Sequence, residues 1–197
     1  MDVGIVILAA GSSSRMNRSK QLLEVGGESL LLKSVRIALQ SKTEKIVVVL
    51  GANETAHRKL IDQLPVEIVS NPKWQKGMGS SLKKGLQHIL QILPDMKSVI
   101  VMVCDQPLLT TAHLNQLIES SVSTKTSIVA SYYSTTAGVP ALFKKDLFDQ
   151  LLCIEDREGA KSIIQKNGSV IKTVEFPGGE IDLDTKFDYD TFLKNNT

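Results

Sequence analysis

The sequence predicts an α/β protein: a three-layer α/β/α, Rossmann-like fold with a mainly parallel sheet. Three observations carry this. Residues 3–8, 45–50 and 98–103 are apolar at nearly every position and do not alternate, the pattern of strands covered on both faces. Between them lie segments with apolar residues at helical spacing, such as Leu82, Leu86, Ile89, Leu90 and Leu93. Strand then alternates with helix along the chain, the order that builds parallel strands joined by crossover helices.

The first strand, 3–8, runs into Ala9-Ala10-Gly11-Ser12-Ser13-Ser14, followed by Arg15 and Lys20. Small residues let a backbone approach a ligand and aim its N–H groups at it, as phosphate cradles do. Arg15 and Lys20 could then neutralise a polyphosphate; equally, the stretch could be a serine-rich turn with two solvated cations. Neither GxxxxGK[ST] nor GxGxxG follows the strand, which argues against a Walker-type NTPase and a dinucleotide site. A helix is expected over 29–40, with Leu32, Val35 and Leu39 inward, and a strand over 45–50 ended by Gly51. Asn53 can cap a helix showing Leu60, Ile61 and Leu64 to the core, stopped by Pro65 before a short strand at 66–69.

The loop from Asn71 places Gly77, Gly79, Ser80 and Ser81 at the start of an amphipathic helix. The N–H groups there are offered to an anion or a nucleobase edge, although Ser80 would serve as a plain N-cap. Trp74 either stacks on a ring or packs. The strand 98–103 ends in Cys104-Asp105-Gln106-Pro107. Asp105 thus falls at the carboxyl edge of the sheet, where a Mg2+ bridging phosphates would sit, or it starts an Asx turn. Thr110 or Thr111 caps the next helix, through Leu114, Leu117 and Ile118.

Strands near 127–133 and 139–143 follow; the segment from Gly138 to Phe143 is either a turn into an edge strand or a wall of a second-substrate pocket. Helices near 144–152 and 158–166 precede a last strand at 170–175. Asp182 and Asp184 alternate, so extended backbone turns both to one face; alternatively Asp184 or Thr185 caps a terminal helix ending near Leu193.

With 197 residues, 42% of them hydrophobic, and no linker, repeat or charge block, a single domain spanning 1–197 is expected. The 23 basic and 21 acidic residues leave a net charge of +2, which gives no reason to propose nucleic acid or a membrane as partner. No run approaches the roughly 20 apolar residues of a membrane span. The N-terminal run is short and preceded by Asp2, unlike a signal peptide, so a cytoplasmic protein is expected. Cys104 and Cys153 lack metal or redox spacing and are expected to be small core residues. His57, His88 and His113 are scattered, as surface or satisfied core residues, and no Ser/His/Asp or Cys/His hydrolase set emerges.

The segment Leu8-Ala9-Ala10-Gly11-Ser12-Ser13-Ser14-Arg15-Met16, with Lys20, resembles the LAAGxSxRMxxxK signature of nucleotidyltransferases that activate sugars, polyols and cofactors. Asn17 stands where a glycine is usual. Adding Lys20-Gln21-Leu22-Leu23, NPKWQKGMGSSLKKGL from Asn71, CDQPLLT from Cys104, GVPALF from Gly138 and DLDT from Asp182 makes nearly the whole chain similar to the molybdenum cofactor cytidylyltransferases.

That resemblance implies transfer of CMP from CTP to the terminal phosphate of molybdopterin, with release of pyrophosphate and a need for Mg2+. It implies Arg15 and Lys20 on the triphosphate, with Asp105 completing the catalytic set, and Asp105 and Asp184 on the metal. Leu8, Ala9, Ala10, Gly11, Ser12, Ser13, Asn71, Gly79 and Ser81 would line the nucleotide, Asn71 and Ser81 facing the base. Such chemistry is positioning and electrostatics, so no protein nucleophile is needed. The product would pass to a xanthine dehydrogenase-type molybdoenzyme or its chaperone.

Residues 155–161 depart from the family, reading Glu155-Asp156-Arg157-Glu158-Gly159-Ala160-Lys161 where a GDxGAR stretch is usual. The alternatives are the guanylyltransferase of the same cofactor, which usually has glycine at the place of Ala10, and another cytidylyltransferase acting on a phosphorylated alcohol. The isoprenoid cytidylyltransferases carry an Asp-Ala-Ala-Arg-Pro run where this chain has Asp105-Gln106-Pro107. A non-catalytic nucleotide or cofactor carrier is the alternative from another class.

Overall fold

The computed structural model describes residues 2–196 apart from Arg15 and Asn17, and leaves aside the side chain of Ser169. Seven strands form one sheet: β1 (Val3–Ala9), β4 (Lys45–Leu50), β5 (Glu67–Ser70), β6 (Ser98–Val103), β7 (Ile128–Tyr133), β8 (Thr136–Lys144) and β9 (Ile171–Glu175). Their order is β5-β4-β1-β6-β8-β7-β9, and only β8 runs against the others. The fold is the three-layer, mainly parallel Rossmann-like α/β arrangement that the apolar strands predict.

Because side chains alternate across a strand, β1 feeds two cores at once. Val6 and Leu8 join Val47, Val49, Val99 and Val101 against α3 (Met78–Ile92), α5 (Phe148–Leu152) and α6 (Ala160–Lys166). Ile5, Ile7 and Ala9 join Ile46, Val48, Leu50, Ile100 and Met102 against α1 (Leu30–Leu39) and α4 (Thr111–Ser123). Gly85 lets α3 lie close, since a Cβ there would come within 2.5 Å of Val6. A third cluster joins Met16, Leu23 and Leu30 to Leu183, Tyr189 and Phe192, so the segment after the first loop packs on the C-terminal turn and α7 (Lys186–Asn196).

Several expectations are corrected. The 139–143 stretch is no edge strand: it lies in β8, between β6 and β7. Pro140 is tolerated there because the β7 register shifts between Ala130 and Ser131, so that Pro140 opposes no ladder partner. Asn53 has φ +55 and makes no side-chain cap to α2 (Glu54–Ile61), whose inward residues are His57 and Ile61 while Leu60 is exposed. Ser80 is not the N-cap of α3; Gly77 holds that position.

Of Thr110 and Thr111 it is Thr110 that caps α4, accepting from His113 N–H, and Ser29 caps α1, accepting from Leu32 N–H. Thr185 and Asp188 close a reciprocal capping box on α7, leaving Asp184 outside it. Cys104 is buried, but Cys153 is exposed. A small hairpin of β2 (Glu24–Val25) and β3 (Glu28–Ser29) was not foreseen; Gly26 and Gly27, both at positive φ, make its turn. No helix among the described residues is long and apolar enough to cross a membrane.

Candidate active site

The carboxyl ends of β1 and β6 and the start of α3 enclose a cavity of about 270 Å³. Leu8, Ala10, Gly11, Ser12, Lys20, Ser81 and Asp105 line it, with Trp74, Gly77 and Met78 opposite. A Cβ added to Gly11 meets nothing within 4 Å, so no packing within the chain requires a glycine there. Its smallness keeps space open towards the cavity. Gly51 is the contrary case: a Cβ would collide with Trp74 and with the Ala10 carbonyl. Trp74 therefore both packs and walls the cavity.

Lys20 links the two halves of the floor. Its ammonium donates to Asp105 Oδ2 and, at 2.9 Å, to Asp184 Oδ1. Burial opposes the charged ammonium, but the carboxylates outweigh it and hold the Lys20 pKa above its ordinary 10.5. Asp184 reaches this place because Leu183 is fully buried and donates its N–H to the Asp105 carbonyl at 3.1 Å. Asp182, on the other side of Leu183, is pushed up from 3.8 to about 6 by burial and then by Asp105 and Asp184. The two aspartates thus share the neighbourhood of Asp105. Neither is the helix cap.

Asp105 Oδ1 is buried and has no hydrogen-bond partner among the described residues, an orphaned acceptor that suits a cation. Among the described residues, no group of three or more Asp, Glu, His or Cys could hold a metal by itself. A pair of carboxylates completed by substrate oxygens suits Mg2+, which keeps few protein ligands.

Arg15 falls outside the described residues. Ala9 is fully buried in the α1/α4-side core. Asn71 is spent on structure, its Nδ2 donating to Ser80 Oγ and Ser81 Oγ and its Oδ1 accepting from Lys73 N–H. The Gly79 N–H donates to the Asp156 carbonyl at 2.9 Å in the ligand-free chain. Gly79 is needed because a Cβ would collide with the Glu155 carbonyl. The departing 155–158 segment therefore caps α3 through its backbone.

Ser13, at φ +56, points inward: its hydroxyl accepts from Lys20 N–H and donates to Gln21 Oε1. Gln21 and Gln106 were overlooked. Gln21 is 1% exposed, and its amide nitrogen donates to the carbonyls of Ala9 at 3.2 Å and Gly11 at 3.0 Å. Gln106 donates to Val139 O and Gly179 O, tying β8 and the 176–179 turn beneath Asp105. A buried amide beside a motif lysine or aspartate was the available signal for both.

This fold, with a small-residue loop facing a lysine and two convergent carboxylates, defines the chain as a nucleotidyltransferase. It belongs to the MobA-like NTP transferase domain family, whose model matches residues 5–170.

The purine catabolism protein PucB of Bacillus subtilis is 27% identical over 201 residues, covering 94% of this chain and 93% of PucB. The bifunctional protein GlmU of Buchnera aphidicola is 28% identical over 147 residues, 74% of this chain but only 31% of GlmU, so the chain spans about a third of that relative. Rv0371c of Mycobacterium tuberculosis H37Rv is similar in structure, with a TM-score of 0.81 and 24% identity over 98% of this chain and 99% of that one. A structure of Rv0371c with manganese has a TM-score of 0.79 and 23% identity over 98% and 99% of the two chains.

Proposed function

We propose that this protein is a single-domain, cytoplasmic cytidylyltransferase that moves CMP from CTP to the terminal phosphate of a molybdopterin-type acceptor and releases pyrophosphate. The observation that carries it is the meeting of the open backbone at Gly11 with Lys20, Asp105 and Asp184 at one sheet edge. Gly11 and Ser12 receive the triphosphate by close backbone approach, and Lys20, charged at any working pH, balances it. Arg15, by resemblance, adds a second cation. Ser81 faces the base, with Trp74 as a wall.

Asp105 and Asp184 would hold Mg2+, and the orphaned Asp105 Oδ1 supports that assignment. The manganese complex of Rv0371c also supports a divalent cation. When bound, Mg2+ supplies charge neutralisation of the triphosphate. An oxygen of the acceptor phosphate forms the new bond to the α-phosphorus as the bond to the bridging oxygen breaks, and pyrophosphate carries the electron pair away. Lys20 stabilises the charge that builds on it. The product would go to a xanthine dehydrogenase-type molybdoenzyme or its chaperone.

Pyrophosphate release from each NTP with Mg2+, with and without molybdopterin, tests this. Release that requires both CTP and the acceptor is expected. Equal rates with GTP would defeat the base assignment, and acceptor-independent rates would defeat the acceptor.

A further inference from the structure

The first loop is bound from behind by a chain of buried polar side chains with one consistent order of protons. Gln21 is oriented by its amide nitrogen, which donates to the carbonyls of Ala9 and Gly11 on either side of Ala10. Its Oε1 therefore faces the other way and can only accept, taking the Ser13 hydroxyl at 3.2 Å and the Ser19 hydroxyl at 2.6 Å. Ser19 has one proton, and it is spent on Gln21. The 2.6 Å contact of Ser19 Oγ with His57 Nε2 is then a donation from the ring, which puts a proton on Nε2.

Burial lowers the His57 pKa below its ordinary 6.5 and disfavours the imidazolium, which leaves the neutral ring with its proton on Nε2. His57 is fully buried in α2, and its Nδ1 has no partner among the described residues. An orphaned acceptor in the core has a cost, and Ser19 is the polar group that the ring does meet. The chain ends on backbone that needs holding. Ser13 sits at φ +56, a left-handed conformation unfavourable for serine, and its carbonyl and hydroxyl accept from Met16 N–H and Lys20 N–H.

We propose that Gln21 is the positioning residue of the nucleotide loop, and that His57 acts through Ser19 to hold Gln21 in that role. Gln21 fixes the direction of the Ala9 and Gly11 carbonyls, and through Ser13 the backbone from which Lys20 projects. The proposal rests on the nucleotide-binding reading for its consequence, though its geometry can be tested without nucleotide.

Gln21→Met keeps the volume and removes the amide, His57→Phe removes the donor, and His57→Gln puts an amide donor in place of the ring N–H. Amide hydrogen exchange on the ligand-free chain reads the loop directly. Gln21→Met is expected to speed exchange at Met16 and Lys20 by about 10-fold while β4 is unchanged. Titration with CTP and Mg2+ is expected to show about 10-fold weaker binding for Gln21→Met and His57→Phe, with His57→Gln restored to near the wild-type value.

Wild-type exchange at Met16 and Lys20 in Gln21→Met overturns the proposal, whatever nucleotide does. So does a His57→Gln that matches His57→Phe, or losses of affinity that merely follow losses of melting temperature. A wild-type chain that binds no nucleotide sinks the functional reading instead, and the exchange result still decides the role of Gln21.

Discussion

Gly11 and Asp105 test the site one atom at a time. Because a Cβ on Gly11 meets no protein atom, Gly11→Ala is expected to melt within about 2 °C of wild type. The same methyl enters the space a triphosphate would use, so CTP affinity is expected to fall about 10-fold. Thermal unfolding beside calorimetric titration separates the two effects. Asp105→Asn keeps the shape and removes the charge. Turnover is expected to drop at least ~100-fold with an unchanged circular dichroism spectrum, and full turnover would strip Asp105 of its metal role.

At the level of elements, the same glycine-to-alanine change has the opposite result at the start of α3. A Cβ on Gly79 would lie 2.9 Å from the Glu158 carbonyl and closer still to that of Glu155. Backbone cannot step aside as a flexible side chain can, so Gly79→Ala is expected to cost about 1–3 kcal/mol, read from the urea midpoint. The α7 cap is a milder case. Thr185→Ala breaks the box with Asp188 and is expected to cost about 1 kcal/mol. It also loosens the turn that holds Asp184 against Lys20, so the KM for CTP should rise with it.

For the molecule as a whole, the buried histidines make stability depend on pH. His113 is bonded to Ser131, stacked on Phe176, and pushed by burial from 6.5 down to about 4. Between those values the unfolded chain binds more protons than the folded one. The stability is therefore fully present above pH 6.5 and is lost as pH falls through about 4, by up to about 1.4 kcal/mol per pH unit. Asp182 acts in the opposite sense: its pKa is raised to about 6, so its contribution is present below 3.8 and is lost as pH rises through about 6. The His113 contribution is the difference between wild type and His113→Gln in urea unfolding at pH 7 and pH 5. A smaller loss on acidification in the variant is the expected outcome.

The strands Lys45–Leu50 and Ser98–Val103 were legible to the residue, because a strand buried on both faces has to be apolar throughout. So was the cap of α4, narrowed to Thr110 or Thr111, which depends on neighbours in sequence. The loop at Gly11, Lys20 and the strand-end Asp105 were legible for a related reason: a parallel sheet brings its carboxyl ends to one edge. What the sequence determined by itself was local chemistry and burial, and with them the fold class and the edge where the candidate site lies.

Only the tertiary structure decided the partners. It placed His57 behind the loop, spent Gly79 and Asn71 on the start of α3, seated β8 inside the sheet and brought Asp184 to Lys20 across 164 positions of chain. A glycine that faces open space and one that admits another stretch of backbone are the same letter. What stands over each, two backbone carbonyls at Gly79 and nothing within 4 Å at Gly11, is set by packing between segments far apart in sequence.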